Sequence, residues 1–261
     1  MIVNADSAQV YADLQILSAR PSEDEMEGIE HRLFGAWDGA EACSAAAWAT
    51  RAKAEIAEIH ESGGVPILVG GTGLYLKVLL EGIAPIPEID PAVRAAVRAI
   101  ETADAYKLLS IEDPERAAML DPTDSQRIAR ALEVKRSTGV TLADWQLAKA
   151  GGIAEEVTLH PLIIEPERQW VYDRCDARFA AMLDNGAIAE VEALLARELD
   201  PELPVMRAIG VPEIAAWLAG EIEADDVIAA GTQATRNYAK RQFTWFRRQP
   251  PPDWPRVHPD W

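Results

Sequence analysis

Pro66-Ile67-Leu68-Val69-Gly70-Gly71-Thr72-Gly73-Leu74-Tyr75 joins an apolar run to a glycine turn and then to a second apolar run. The first run reads as a short buried strand, and Leu74 to Leu80 as a helix opened by the turn. Upstream, Ser44 to Glu61 is alanine-rich, begins on a serine suited to capping and stops at Gly63-Gly64, so it predicts another helix. Helix, strand, helix implies a parallel sheet, because parallel neighbours need a crossover between them.

The chain's opening fits the same sheet. Ile2-Val3-Asn4-Ala5-Asp6-Ser7-Ala8-Gln9-Val10-Tyr11 is an apolar run ending in a carboxylate, a hydroxyl and an amide. A strand that ends this way delivers polar groups to the carboxyl edge of an open α/β sheet, where such folds bind ligands. Asp6 at that edge suits a general base, a metal ligand or a helix cap. Ser7 and Gln9 beside it suit the edge of a base, since an amide both donates and accepts. Residues 14–32, with the acidic run Glu23 to Glu30 and His31-Arg32, read as a polar surface loop.

A proline-rich stretch, Pro85, Pro87 and Pro91, marks a boundary, and only helices come after it. They cover Pro91 to Glu101, Ala103 to Ile111, Pro114 to Leu120, Asp124 to Ser137 and Thr141 to Ala150. Val157 to Ile164 returns to strand character. Glu167 to Leu183, Ala187 to Arg197, Pro204 to Leu218 and Asp225 to Arg247 are helical again, before an extended proline-rich tail. The expected architecture is a discontinuous α/β core, residues 1–84 and 158–261, with an inserted all-helical subdomain at 85–157.

The net charge of -18 speaks against nucleic acid, unless the basic residues cluster. They do cluster. On the helix Thr235 to Arg247, Arg236, Lys240 and Arg247 fall on one face, suited to a diphosphate or a nucleic-acid backbone. Tyr238, Ala239, Trp245 and Phe246 fall on the other and read as core. Gln126, Arg127 and Arg130 open the helix capped by Asp124, where the arginines either grip phosphates or pair with acids. Gly70-Gly71-Thr72-Gly73 is neither a Walker A loop nor a dinucleotide fingerprint; it lines a ligand or makes a tight turn. The two cysteines, Cys43 and Cys175, lie far apart, which fits a reducing compartment. No stretch reads as a membrane span, and the expected location is the cytoplasm.

Together these stretches resemble the tRNA dimethylallyltransferases, also called tRNA isopentenylpyrophosphate transferases. The family pattern A-D-S-x-Q-x-Y is matched at Ala5 to Tyr11, and G-G-T-G-L-Y at Gly70 to Tyr75. D-x-Q-R-x-x-R-A-L-E is matched at Asp124 to Glu133, and T-R-x-Y-A-K-R-Q-x-T-W-F-R at Thr235 to Arg247. The resemblance implies a P-loop kinase-like core whose helical insertion embraces the tRNA anticodon stem-loop. It implies transfer of a dimethylallyl group from dimethylallyl diphosphate to the exocyclic nitrogen of the adenosine 3′ of the anticodon, position 37. It further implies that Asp6 orients that nitrogen and takes its proton, and that Ser7 and Gln9 read the flipped base. Thr72, Gln126, Arg127 and Arg130 then contact the tRNA loop. Arg236, with Lys240, neutralises the departing diphosphate, and Mg²⁺ shares that task. The expected acting species is a monomer without a membrane partner.

One departure bears on activity. The family carries G-P-T-x-x-G-K-[ST] ahead of A-D-S-x-Q, whereas Met1 stands four residues before Ala5 and no Gly-Lys-Ser/Thr occurs in the sequence. The reading is therefore of a core without its first strand and P-loop. The alternatives are a tRNA-binding fragment without catalysis and an adenylate isopentenyltransferase. The helical insertion and Gln126-Arg127 favour tRNA over a free nucleotide.

Overall fold

A computed structural model describes residues 1–259. The chain divides into two compact units, Met1–Leu79 with Glu156–Trp261, and Leu80–Glu155.

In the first unit, β1 (Ile2–Asn4), β2 (His31–Arg32) and β3 (Ile67–Val69) form a parallel sheet in the order β2-β1-β3. Ile2 pairs with His31 and with Ile67, and Asn4 with Val69. His31-Arg32 is thus strand rather than loop. Arg32 also reaches Glu30 and, on the helix Ala45–Glu61, Glu55, at 2.7 and 2.9 Å. The crossover to β3 is α1 (Ala45–Glu61), capped by the Ser44 hydroxyl, which accepts from Ala47 N–H at 3.0 Å. Trp48, Ala52, Ile56 and Ile59 make its buried stripe at helical spacing. Trp48 ties helix to sheet, since its indole N–H donates to the Asn4 carbonyl at 2.9 Å.

β3 is not the buried strand its composition predicts. Ile67 and Val69 are 55% and 50% exposed, because β3 has a single neighbour and alternation turns both residues to an uncovered face. A second sheet pairs β4 (Ile163–Ile164) in parallel with β5 (Arg256–Val257), so the predicted strand Val157 to Ile164 contracts to its last two residues.

α2 (Gly73–Glu81) follows β3, and α8 (Arg168–Asp184), α9 (Ala187–Leu195), α10 (Val211–Leu218) and α11 (Ala224–Arg248) complete this unit's helices. The predicted helix Pro204 to Leu218 is broken. Pro204–Arg207 is a single 3-10 turn, and α10 starts after Gly210, which adopts φ +97°. A Cβ at Gly210 would meet the Leu17 side chain at 2.5 Å, so both backbone and packing demand glycine.

The second unit holds α3 (Pro91–Arg98), α4 (Thr102–Glu112), α5 (Pro114–Met119), α6 (Ser125–Thr138) and α7 (Leu142–Leu147). α6 supplies the middle of its core, where Ile128, Ala131 and Leu132 pack with Val97 of α3 and Leu109 of α4. Glu133 is 3% exposed on the same helix and is paired with Arg98 at 3.0 Å, as a buried carboxylate must be.

Candidate active site

β1 ends at Asn4, which is wholly buried, and its amide steers the residues after it. Asn4 Oδ1 accepts from Asp6 N–H at 2.8 Å, while Nδ2 donates to the Asp6 and Leu33 carbonyls at 3.0 and 3.2 Å. The chain is turned out of the sheet so that Asp6 faces a cleft of about 900 Å³. The other walls of that cleft come from residues 7–18, from α8, from residues 204–209 and from α11.

Burial pushes the Asp6 carboxyl above the usual carboxylate range, against the amides of Ala8 and Gln9 and the charge of Arg178, which pull it down. Ala8 N–H donates to Asp6 Oδ1 at 2.8 Å and fixes its orientation. An oriented, partly desolvated carboxylate is more basic than one in water, which is what a general base needs.

Thr72 stands behind this loop rather than on the cleft wall. Its hydroxyl accepts from Ser7 N–H at 2.9 Å, donates to Ser7 Oγ at 3.1 Å and lies 3.5 Å from the Tyr238 hydroxyl. Burial, and then the Asp6 charge, push the Tyr238 phenol up, so it stays a neutral donor. The glycines around Thr72 serve packing. A Cβ at Gly70 would sit 2.3 Å from the Ala5 carbonyl carbon, and one at Gly73 would sit 2.1 Å from the Trp245 indole. Thr72 N–H donates to the Ala5 carbonyl and Gly73 N–H to that of Gly71, so these two amides are committed inside the turn. The tight-turn reading accounts for them.

Gln9 lines the cleft, and its Nε2 donates to the Ser18 and Ala19 carbonyls at 3.2 and 2.8 Å. Leu14, Leu17, Phe179 and Met182 give the cleft an apolar side. Tyr11, Cys43 and Tyr75 close another, with Cys43 N–H donating to the Tyr11 hydroxyl at 3.1 Å.

Four arginines reach the cleft, Arg174 and Arg178 one turn apart on α8, Arg207 at the end of the 3-10 turn, and Arg241 on α11. Asp6 is the one acid on its wall among the described residues, so the cleft is locally positive in a chain of net charge -18. The Arg174 guanidinium lies 4.8 Å from the Trp170 ring and that of Arg241 lies 5.3 Å from the Tyr238 ring. Arg207 is bound to Glu202. Sequence reasoning missed Arg174, Arg178, Arg207 and Arg241. On α8 the signal was the spacing Trp170, Arg174, Arg178, masked by the interleaved Asp173 and Asp176.

Those acids explain where the predicted basic stripe lies. Arg236 is held by Asp176 of α8, with Nε to Oδ1 at 2.8 Å, and its guanidinium sits over the Tyr172 ring. Arg247 approaches Glu165 at 4.0 Å, and Lys240 is exposed. None of the three lines the cleft. The face of α11 that does carries Thr235, Tyr238, Ala239 and Gln242, so Tyr238, expected as core, is a wall residue.

Gln126, Arg127 and Arg130 occupy the first turns of α6 in the second unit. Asp124 caps that helix by accepting from Arg127 N–H at 3.1 Å. Arg127, 71% exposed, pairs with Asp124 at 3.2 Å, and Arg130 with Glu133 at 3.8 Å. The Arg127 pair is exposed and contributes about 0–1 kcal/mol, so its guanidinium can exchange Asp124 for a phosphate at little cost, whereas Arg130 leans on buried Glu133, which Arg98 also holds.

Mg²⁺ is usually held by one or two carboxylates together with substrate phosphates. Here the cleft offers a single carboxylate with one oxygen already bonded, and no group of three or more His, Cys, Asp or Glu placed to hold a metal occurs among the described residues. These residues do not by themselves fit a metal site, and no step is assigned to one. Among the described residues no helix is long and apolar enough to cross a membrane.

A family model described as IPP transferase matches residues 9–249. A tRNA dimethylallyltransferase of Erythrobacter litoralis is 67% identical over 257 residues, covering 98% of this chain and 81% of the relative. The crystal structure of a full-length tRNA isopentenylpyrophosphate transferase from Bacillus halodurans superposes with a TM-score of 0.69 at 30% identity, over 98% of this chain and 80% of that one. A eukaryotic dimethylallyltransferase, described as acting on tRNA, superposes with a TM-score of 0.76 at 27% identity, over 94% of this chain and 63% of that one.

Proposed function

The chain belongs to the tRNA dimethylallyltransferase family, and from that premise we propose that it moves a dimethylallyl group from dimethylallyl diphosphate to N6 of adenosine 37 in the tRNA anticodon loop. The adenine leaves its stack and enters the cleft, as a base must to be modified inside a protein. N6 attacks C1 of the allyl group, the C1–O bond breaks, and diphosphate departs with the electron pair. An N6 proton passes to the Asp6 carboxylate. The adenine amino lone pair is delocalised into the ring, so an acceptor pulling on its N–H raises its nucleophilicity. Ser7 and Gln9 contact the base, with Thr72 acting through Ser7.

Charge accounts for the rest. The cleft arginines offer phosphates a local positive field that the chain as a whole lacks. Arg236 and Lys240 lie off the cleft wall, on the same helix as Arg241; they serve the diphosphate as it departs from the cleft, Arg236 by exchanging Asp176 for phosphate oxygen. Gln126, Arg127 and Arg130 serve the backbone of the anticodon stem-loop. The acting species in this reading is a monomer in the cytoplasm.

The observation that carries this reading is a single half-buried carboxylate just past the end of a parallel strand, in a part-apolar cleft that four arginines reach. The test is incubation of labelled dimethylallyl diphosphate and Mg²⁺ with an anticodon stem-loop and with AMP. It is run on the 261-residue chain and on the same chain with a G-P-T-x-x-G-K-[ST] segment joined ahead of Met1. Label on N6 of the stem-loop's adenosine 37 is expected. Label on AMP alone, or on neither acceptor with either protein, overturns the assignment.

A further inference from the structure

Gln9 has an amide whose two ends are treated unequally. An amide nitrogen carries two N–H donors, and those of Gln9 meet two carbonyls, Ser18 at 3.2 Å and Ala19 at 2.8 Å. Its Oε1 accepts no hydrogen bond among the described residues, and the side chain is on the cleft wall. In this setting Gln9 offers the cleft only an acceptor.

That setting is held by a residue outside the cleft. The loop carrying Ser18 and Ala19 presents three successive backbone N–H groups, of Gln15, Ile16 and Leu17, to one carboxylate. Glu190 Oε1 accepts from Gln15 and Ile16 at 2.5 and 2.9 Å, and Oε2 from Leu17 at 2.9 Å. Glu190 projects from α9, which is anchored by Ala187, Val191 and Leu194. Beyond the three amides, Ser18 Oγ donates to the Leu14 carbonyl at 2.6 Å and Ala19 adopts φ +52°. A residue with a Cβ takes that conformation only where its surroundings impose it. The strained residue is the one whose carbonyl makes the shorter bond to Gln9.

We infer that Glu190 is a positioning residue that locks Gln9 as an obligate acceptor, so that the cleft selects an exocyclic amino group over an exocyclic oxygen. This rests on the reading of adenosine as the acceptor nucleoside. Adenine presents two N–H bonds at N6, whereas guanine presents O6, an acceptor that would face Gln9 Oε1 without a proton between them. Of the two N6 protons, one goes to Asp6 and the other donates to Gln9.

The test uses the full chain and has two readouts. In the free protein, the Gln9 side-chain amide protons are followed by NMR hydrogen exchange. Slow exchange is expected in the wild type and fast exchange in Glu190→Gln, whose amide turns a donor toward the three backbone N–H groups. Binding of anticodon stem-loops with adenosine or guanosine at position 37 is then compared. The wild type is expected to prefer adenosine by about tenfold or more. Glu190→Gln is expected to bring that ratio toward one, because a released Gln9 turns over and donates to O6. Gln9→Met, which keeps the volume and leaves the Glu190 bonds in place, is expected to lose the preference too, and Glu190→Ala, followed by the same two readouts, replaces Glu190→Gln if that variant does not fold.

Unchanged exchange in Glu190→Gln, or an unchanged ratio in either variant, overturns the inference, since a merely structural role would lower both affinities together. A wild type that binds both stem-loops equally overturns it while leaving tRNA binding intact. A wild type that binds neither overturns the tRNA reading and the selectivity with it, while the exchange result still judges the lock.

Discussion

Asp6 is asked to act as a base from a position where burial favours its neutral form. The folded carboxyl lies above its ordinary value, so the native state holds the Asp6 proton more tightly than the unfolded chain does. By linkage, the stability it contributes is fully present below the unfolded carboxylate value and is lost as pH rises through the raised folded value. Asp6→Asn keeps an oxygen for Ala8 N–H and removes the charge. Its thermal midpoint is expected to match or exceed that of the wild type at pH 7, and to lose that advantage in acid. A lower midpoint at pH 7 would mean that partners of the carboxylate outweigh its burial. Asp6, Ser7 and Gln9 were legible in the sequence because a strand's end places them at the ligand edge. The polarity of Gln9 was not, because it is set by the Ser18 and Ala19 carbonyls and, from far along the chain, by Glu190.

At the scale of elements, the glycine turn shows why a motif and its function separate. Gly73 opens α2 directly beneath Trp245 of α11, so the turn fixes where two elements meet. Gly73→Ala forces the indole to move and is expected to cost about 1–3 kcal/mol, as overpacking does, read as a lower denaturation midpoint at unchanged slope. An unchanged midpoint would mean that α11 yields freely. Helix periodicity found α1, α6, α8 and α11 with nearly their observed bounds. It gave the stripe Arg236, Lys240 and Arg247 but not what the stripe faces, because Asp176 comes from another helix. The break at Gly210 was hidden for the same reason, since its demand for glycine comes from Leu17 and Phe179.

At the scale of the whole molecule, a chain of net charge -18 needs its cations gathered to hold RNA. Binding of an anticodon stem-loop should weaken as salt rises, and Arg127→Ala should lower the slope of log affinity against log salt by about 1. An unchanged slope would leave Arg127 as only the partner of Asp124. The parallel α/β class was legible from one helix-strand-helix unit. The pairing of β4 with β5, distant from each other along the chain, was not, because nothing local specifies it.

If Asp6 takes the proton from the nucleophilic nitrogen, single-turnover transfer to an adenosine-37 stem-loop under saturating dimethylallyl diphosphate should separate Asp6→Asn from the wild type, in whichever form of the chain transfers. The rate is expected to fall about 10²–10⁴-fold with stem-loop affinity retained, the range a general base contributes. Transfer by Asp6→Asn at the wild-type rate would mean that the N6 proton goes elsewhere and that Asp6 is not the base.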